Sequence, residues 1–107
     1  MSSEKSIDKI PKTYQDDVKK AITILTGRGC KEIYLFGSLV HGDYTDRSDI
    51  DIAVTGIPKG DFFEIFGELM MSLDHPVDLI NLEKRTRFVD LLKTKGELIR
   101  VDRNRQS

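Results

Sequence analysis

Gly37-Ser38-Leu39-Val40-His41-Gly42-Asp43-Tyr44-Thr45-Asp46-Arg47-Ser48-Asp49-Ile50-Asp51-Ile52-Ala53-Val54 is the stretch on which the reading of this chain turns. It joins a small-residue turn to two carboxylates set among apolar residues. Just before it, Glu32 to Phe36 is a short apolar run halted by Gly37, too brief for a helix, and it predicts a buried strand. Asp46 to Ser48 are turn formers. From Asp49 to Val54, carboxylate or Ala on one side alternates with Ile50, Ile52 and Val54 on the other, which predicts a second strand.

Outward from this core, Tyr14, Val18, Ala21, Ile22 and Leu25 follow Pro11 at the spacing of one helix face, with an end near Gly27 or Gly29. After strand two, Thr55 to Gly60 is a cluster of breakers. Asp61 is placed to cap a helix carrying Phe62, Phe63, Phe66, Leu69, Met70 and Leu73. Val77 to Leu82 predicts a third strand, and the intervening helix makes a crossover long enough for strands two and three to be parallel neighbours. A last helix is expected over Arg85 to Lys95, with Phe88, Leu91 and Leu92 inward and Gly96 as its stop. Leu98 to Val101 reads as a short edge strand or a loop. The order helix, strand, strand, helix, strand, helix predicts an α/β (α+β) fold, a small mixed sheet with helices packed against it.

The 107 residues, 38% of them hydrophobic, predict a single domain over 1–107, with a core from about 12 to 101 and loose polar termini. The 17 Lys and Arg against 18 Asp and Glu give no bulk charge to draw the chain to a nucleic acid or an anionic membrane. No direct nucleic-acid or membrane binding is expected. The lone Cys30 excludes an internal disulfide and reads as a small core residue; with no signal peptide or long apolar run, the expected location is the cytoplasm.

Residues two apart on a strand share a face, so Asp49 and Asp51 are expected to project together while Ile50 and Ile52 enter the core. Two such carboxylates repel each other unless a cation lies between them. Asp78, in the apolar run Val77-Asp78-Leu79-Ile80, joins them if strands two and three are neighbours. Three carboxylates without a matching Cys/His cluster favour a hard cation, Mg²⁺ before Zn²⁺, and Mg²⁺ favours a phosphate substrate. Gly37 allows a sharp turn, and Ser38 with the N–H groups after it can donate to phosphate, above all if Ser38 to His41 form a short helix. No Gly-Lys-Ser/Thr arrangement follows, so this is not a Walker-type loop.

Taken together, Gly37-Ser38, Gly42, Ser48-Asp49-Ile50-Asp51 and Asp78 resemble the polymerase-beta-type nucleotidyltransferase superfamily, and the short chain resembles its minimal (MNT) branch. The resemblance implies three metal-binding catalytic aspartates, Asp49, Asp51 and Asp78, holding two Mg²⁺ ions. It places Gly37 and Ser38 on the terminal phosphates and Ser48 at the loop or nucleotide, with pyrophosphate leaving. Many relatives have an arginine at or just before the residue preceding the second glycine; here Val40 and His41 stand there, with Arg47 or a protonated His41 as substitutes. His75, before Pro76, reads only as a turn residue.

Minimal nucleotidyltransferases are similar to antitoxins paired with a helical HEPN-type toxin, and the resemblance implies AMP transfer from ATP to a tyrosine of such a partner. Two alternatives stand beside this. One is a binding antitoxin that masks its partner without chemistry, for which Phe62, Phe63, Met70 and Met71 offer apolar contacts if they are exposed rather than in the core. The other is nucleotidyl transfer to a small hydroxyl compound. A haloacid-dehalogenase-type phosphatase leaves the Gly-Ser element unexplained and needs a longer chain.

Overall fold

A computed structural model describes residues 10–42, 48–96 and 98–102. The expected turn at Asp46 and Arg47, the side chain of His41 and both polar termini lie outside the described residues. The elements run α1 (Lys12–Gly27), β1 (Glu32–Phe36), α2 (Ser38–His41), β2 (Ile50–Thr55), α3 (Phe62–Ser72), β3 (Val77–Asn81), α4 (Arg87–Lys95) and β4 (Ile99–Arg100). They build a four-stranded sheet in the order β3-β2-β1-β4. β1 pairs antiparallel with both β2 and β4, whereas β2 and β3 are parallel across the α3 crossover. The mixed sheet and the parallel pair are as the sequence predicts, and the segment left open between strand and loop forms an edge strand.

The period-two alternation gives the sheet two apolar faces. Ile33 and Leu35 of β1, Ile50, Ile52 and Val54 of β2 and Val77 and Leu79 of β3 form one core with Tyr14, Val18, Ala21 and Leu25 of α1 and Ile65 and Leu69 of α3. Phe36, Ala53 and Leu82 meet Val89 and Leu92 of α4 in a smaller core on the opposite face. Asp51 and Asp78 fall on the α4 side by the same alternation. Cys30 is buried in the larger core, and burial pushes its thiol pKa up.

Three local expectations change. Asp61 stands at the N-cap of α3, but its side chain makes no capping bond, because its backbone is helical (φ −97°, ψ −1°) rather than the extended conformation a side-chain cap needs. α4 begins two residues later than expected, capped by Thr86, whose Oγ1 accepts from the Val89 N–H at 3.1 Å. Val89 and Leu92 pack inward against the sheet, and Phe88 and Leu91 are 50% and 54% exposed.

One residue on the apolar stripe of α1 is a carboxylate. Asp17 is 1% exposed, and it accepts the backbone N–H groups of Asp74 (3.1 Å) and His75 (2.8 Å) and the His75 Nδ1–H (2.7 Å). Burial pushes its pKa up, but these hydrogen bonds outweigh burial and hold it below the usual carboxylate range. The His75 ring stacks on Tyr14 at 3.8 Å, and the Tyr14 hydroxyl donates to the Ser48 carbonyl at 2.8 Å. Pro76 then accepts from the Ile50 N–H at 2.8 Å. Helix α1 therefore holds the start of β2 and the start of β3 at once.

Replacing Asp17 with Ala removes a buried acceptor from three part-buried donors, the loss of each bond to the carboxylate costing about 1–3 kcal/mol. Asp17→Ala is expected to lower the stability from urea unfolding at pH 7 by about 3 kcal/mol or more. Asp17→Asn, which keeps one acceptor oxygen, should lie between the variant and the wild type. Unchanged midpoints for both would remove this network from the account of the fold.

Candidate active site

The site begins where β1 ends. Gly37 has φ 81° and ψ −151°, a conformation that L side chains rarely adopt, and it turns the chain from β1 into the single turn of α2. A Cβ built on Gly37 would overlap Asp51 Oδ2 and lie 3.0 Å from its Cγ. Only glycine lets this backbone pass so close to the carboxylate, since Phe36, the residue before it, is the register partner of Asp51. The short helix expected after Gly37 is present. The Val40 N–H donates to the Gly37 carbonyl at 3.1 Å and the Gly42 N–H to the Ser38 carbonyl at 2.9 Å.

Across the sheet in the other direction, Asp51 on β2 is the register partner of Asp78 on β3. In a parallel pair such partners stand side by side on one face, about 4.8 Å apart at the backbone. Asp51 is half-buried and Asp78 exposed, while their neighbours Ile50 and Ile52 are buried, as the alternation requires. Burial, and then the negative charges of Asp78 and Asp49, raise the Asp51 pKa to about 6.

Asp49 is exposed and sits one residue before β2. Among the described residues, no three Asp, Glu, His or Cys side chains stand close enough together to hold a metal ion. Asp51 and Asp78 are thus brought side by side, with Asp49 acting on Asp51 through its charge from the β2 approach. Ser38 is half-buried at the first position of α2, and Ser48 is half-buried, with its carbonyl held by Tyr14.

The donor set fits a hard divalent cation. All of it is carboxylate oxygen, and the Asp51 pKa is raised first by burial and then by the charges of Asp78 and Asp49, which a cation would neutralise. The missing Cβ at Gly37 gives the Asp51 carboxylate its place against the end of β1. Sequence reading missed the support beneath the site. Asp17, three residues after Tyr14 and one before Val18, lies within an apolar helical stripe, and a carboxylate there signals a buried partner. His75 is that partner and not a bare turn residue.

The family model described as "Polymerase beta, Nucleotidyltransferase" matches residues 19–105. The chain belongs to this nucleotidyltransferase family. Its relatives place it in the minimal branch. A toxin-antitoxin structure solved with AMP-PNP superposes with a TM-score of 0.61 at 31% identity, over 75% of this chain and 69% of that one. A complex of an AMPylated Shewanella oneidensis HEPN toxin with its MNT antitoxin superposes with a TM-score of 0.56 at 29% identity, over 78% and 69% of the two chains. A protein of Methanocaldococcus jannaschii assigned as a protein adenylyltransferase is 46% identical over 37 residues, 35% of this chain and 30% of that protein.

The geometry of this nucleotidyltransferase has two measurable consequences. Asp51 binds its proton more tightly in the folded than in the unfolded chain, so its contribution to stability is full below the ordinary carboxylate value and is lost as pH rises through about 6. Without added metal, Asp51→Asn should raise the melting temperature at pH 7.5 by about 4–8 °C, the response of a domain this size to about 1 kcal/mol. The gain should vanish below about pH 4, near the ordinary carboxylate value. A gain independent of pH, or none at pH 7.5, contradicts the assigned repulsion. Gly37→Ala should lower stability by about 1 kcal/mol or more, from the left-handed backbone alone, before its overlap with Asp51 is counted. A melting temperature equal to wild type would show that this turn tolerates a side chain.

Proposed function

We propose that this nucleotidyltransferase transfers AMP from ATP to a tyrosine hydroxyl of a HEPN-type toxin and so acts as an antitoxin. The observation that carries the reading is the pair Asp51 and Asp78, side by side on β2 and β3, with the Gly37 backbone closing on Asp51 from β1. The AMP-PNP and AMPylated-toxin complexes among its structural relatives support both the nucleotide and the acceptor.

Nucleotidyltransferases of this type use divalent metal, and two Mg²⁺ ions, the proposed cofactor, would neutralise charge on the α-phosphate and on the leaving pyrophosphate. Asp49 and Asp51 are the proposed ligands on the nucleotide side, with Asp78 completing the set. Gly37 and Ser38 would bind the terminal phosphates, and Ser48 would fix the loop beside them. The tyrosine oxygen forms a bond to the α-phosphorus as the bond to the β-phosphate oxygen breaks. Pyrophosphate leaves with that electron pair, and Asp78 takes the hydroxyl proton. The proposed place of work is the cytoplasm. Among the described residues no helix is long and apolar enough to cross a membrane.

One observation favours a second reading, a binding antitoxin that masks its partner without chemistry. Phe63, Met70 and Met71 on α3 are 81%, 58% and 89% exposed, an apolar surface of the kind that partners cover.

The two readings part on one experiment. The purified chain is incubated with labelled ATP, Mg²⁺ and a helical HEPN-type protein as its candidate partner. Label should appear on the partner and fall by about 100-fold or more in the Asp49→Asn, Asp51→Asn double variant. Neutralisation of the toxin should fail with it. Neutralisation that survives the double substitution makes binding the function, and an unlabelled partner, under conditions in which a related pair labels its own, sinks AMP transfer.

A further inference from the structure

Asp49 lies outside the ladders that hold the other two aspartates. Among the described residues, pairing of β2 with β3 begins at Ile50 and Val77, and its pairing with β1 ends at Phe36 and Asp51. Asp51 and Asp78 therefore take their direction from the pleat of the sheet. Asp49, exposed and one residue earlier, needs another source of order.

That source is a hydrogen bond on each side of it. A peptide unit is planar, so the two planes that meet at the Asp49 Cα set its φ and ψ, and with them the direction of its Cα–Cβ bond. In the plane before it, the Ser48 carbonyl accepts from the Tyr14 hydroxyl at 2.8 Å. In the plane after it, the Ile50 N–H donates to the Pro76 carbonyl at 2.8 Å.

Both anchors belong to one buried knot. Pro76 follows His75, whose ring stacks on Tyr14 with 3.8 Å between centroids and 21° between planes, and whose amide and Nδ1–H are held by Asp17. Tyr14 is 3% exposed and Asp17 1%, so the core fixes the Tyr14 ring before its hydroxyl reaches Ser48, 34 residues away in sequence. A phenylalanine would satisfy the stack and the burial equally well. What the tyrosine adds is the bond to the peptide that leads into Asp49.

We propose that Tyr14 is a positioning residue for Asp49: its hydroxyl fixes the Ser48–Asp49 peptide plane and so aims the Asp49 carboxylate at the cation that it would bind with Asp51 and Asp78. The inference rests on the proposed function, in which Asp49 is a ligand of a divalent cation. Groups that orient a metal ligand change affinity by about 10–100-fold, and a bond made to the backbone beside the ligand belongs at the lower end of that range.

The test is a double-substitution cycle on the full chain, read as Mn²⁺ affinity from the electron paramagnetic resonance of the free ion. Mn²⁺ stands for Mg²⁺ as a cation that prefers the same oxygen ligands. Tyr14→Phe keeps the ring in the core and removes only the hydroxyl, and circular dichroism fixes a temperature at which every variant is folded. Tyr14→Phe should weaken Mn²⁺ binding about ten-fold in the wild-type background, and by less than about two-fold in an Asp49→Asn background, where the group it positions is already lost. An equal loss in both backgrounds, or no loss in either, overturns the positioning role and leaves the metal site standing. A wild-type chain that binds no Mn²⁺, or binds it as well after Asp49→Asn, defeats the proposed ligand set and this inference with it. A second measurement needs no substitution: in the wild-type chain the Tyr14 hydroxyl proton should exchange with water slowly enough to be seen by NMR, and a freely exchanging hydroxyl also overturns the role.

Discussion

Two carboxylates on adjacent strands, Asp51 and Asp78, face the same way, and among the described residues no cationic side chain pairs with either. That repulsion is the constraint around which the rest is arranged. The parallel register sets it, for each aspartate is flanked by residues whose burial fixes the pleat: Ile50 and Ile52 on one strand, Val77 and Leu79 on the other. A slip of either strand by one residue would send its carboxylate into the larger core and turn its two flanking aliphatic side chains away from it. Each such side chain contributes about 1.5–3 kcal/mol by burial, so the sheet holds the carboxylates where they repel. Burial first, and then that repulsion, raise the pKa of Asp51.

The conflict is supported from three sides. Gly37 lets β1 end against the Asp51 carboxylate. Asp17 gathers the Asp74 and His75 amides ahead of β3, and Tyr14, stacked on His75, holds the Ser48 carbonyl ahead of β2. A single helix, α1, therefore controls how the two acidic strands start. Neither Tyr14 nor Asp17 touches the carboxylates, and their role is to position the strands that carry them. In the proposed function, a site so fixed by its surroundings would take up a cation and a polyphosphate at little further cost, because binding would relieve a repulsion already met by folding.

Much of this was legible in the sequence. The apolar run stopped by Gly37, the alternation from Asp49 to Val54 and the apolar run around Asp78 each follow from strand periodicity, and the length of the crossover makes β2 and β3 parallel. Helix boundaries were less legible. Thr86 caps α4, so the helix begins two residues after Arg85, and Val89 rather than Phe88 or Leu91 joins Leu92 in the core. α3 carries apolar residues on most of its circumference, so periodicity alone could not tell that Ile65 and Leu69 are buried while Phe63 and Met71 are exposed. Long-range pairing was the least legible. His75 meets Asp17 across 58 residues, and only the placement of a carboxylate in the α1 stripe hinted that such a partner exists.

The central claim is that folding forces Asp51 and Asp78 together so that a divalent cation can settle between carboxylates of this face. The most direct measurement is the titration of the Asp51 side-chain carboxyl by carbon NMR, with and without Mg²⁺. A midpoint near 6 in the absence of the ion, falling toward the ordinary carboxylate range when Mg²⁺ and AMP-PNP are added, is the result the account predicts. A midpoint already in the ordinary range, or one that Mg²⁺ leaves unmoved, would contradict it.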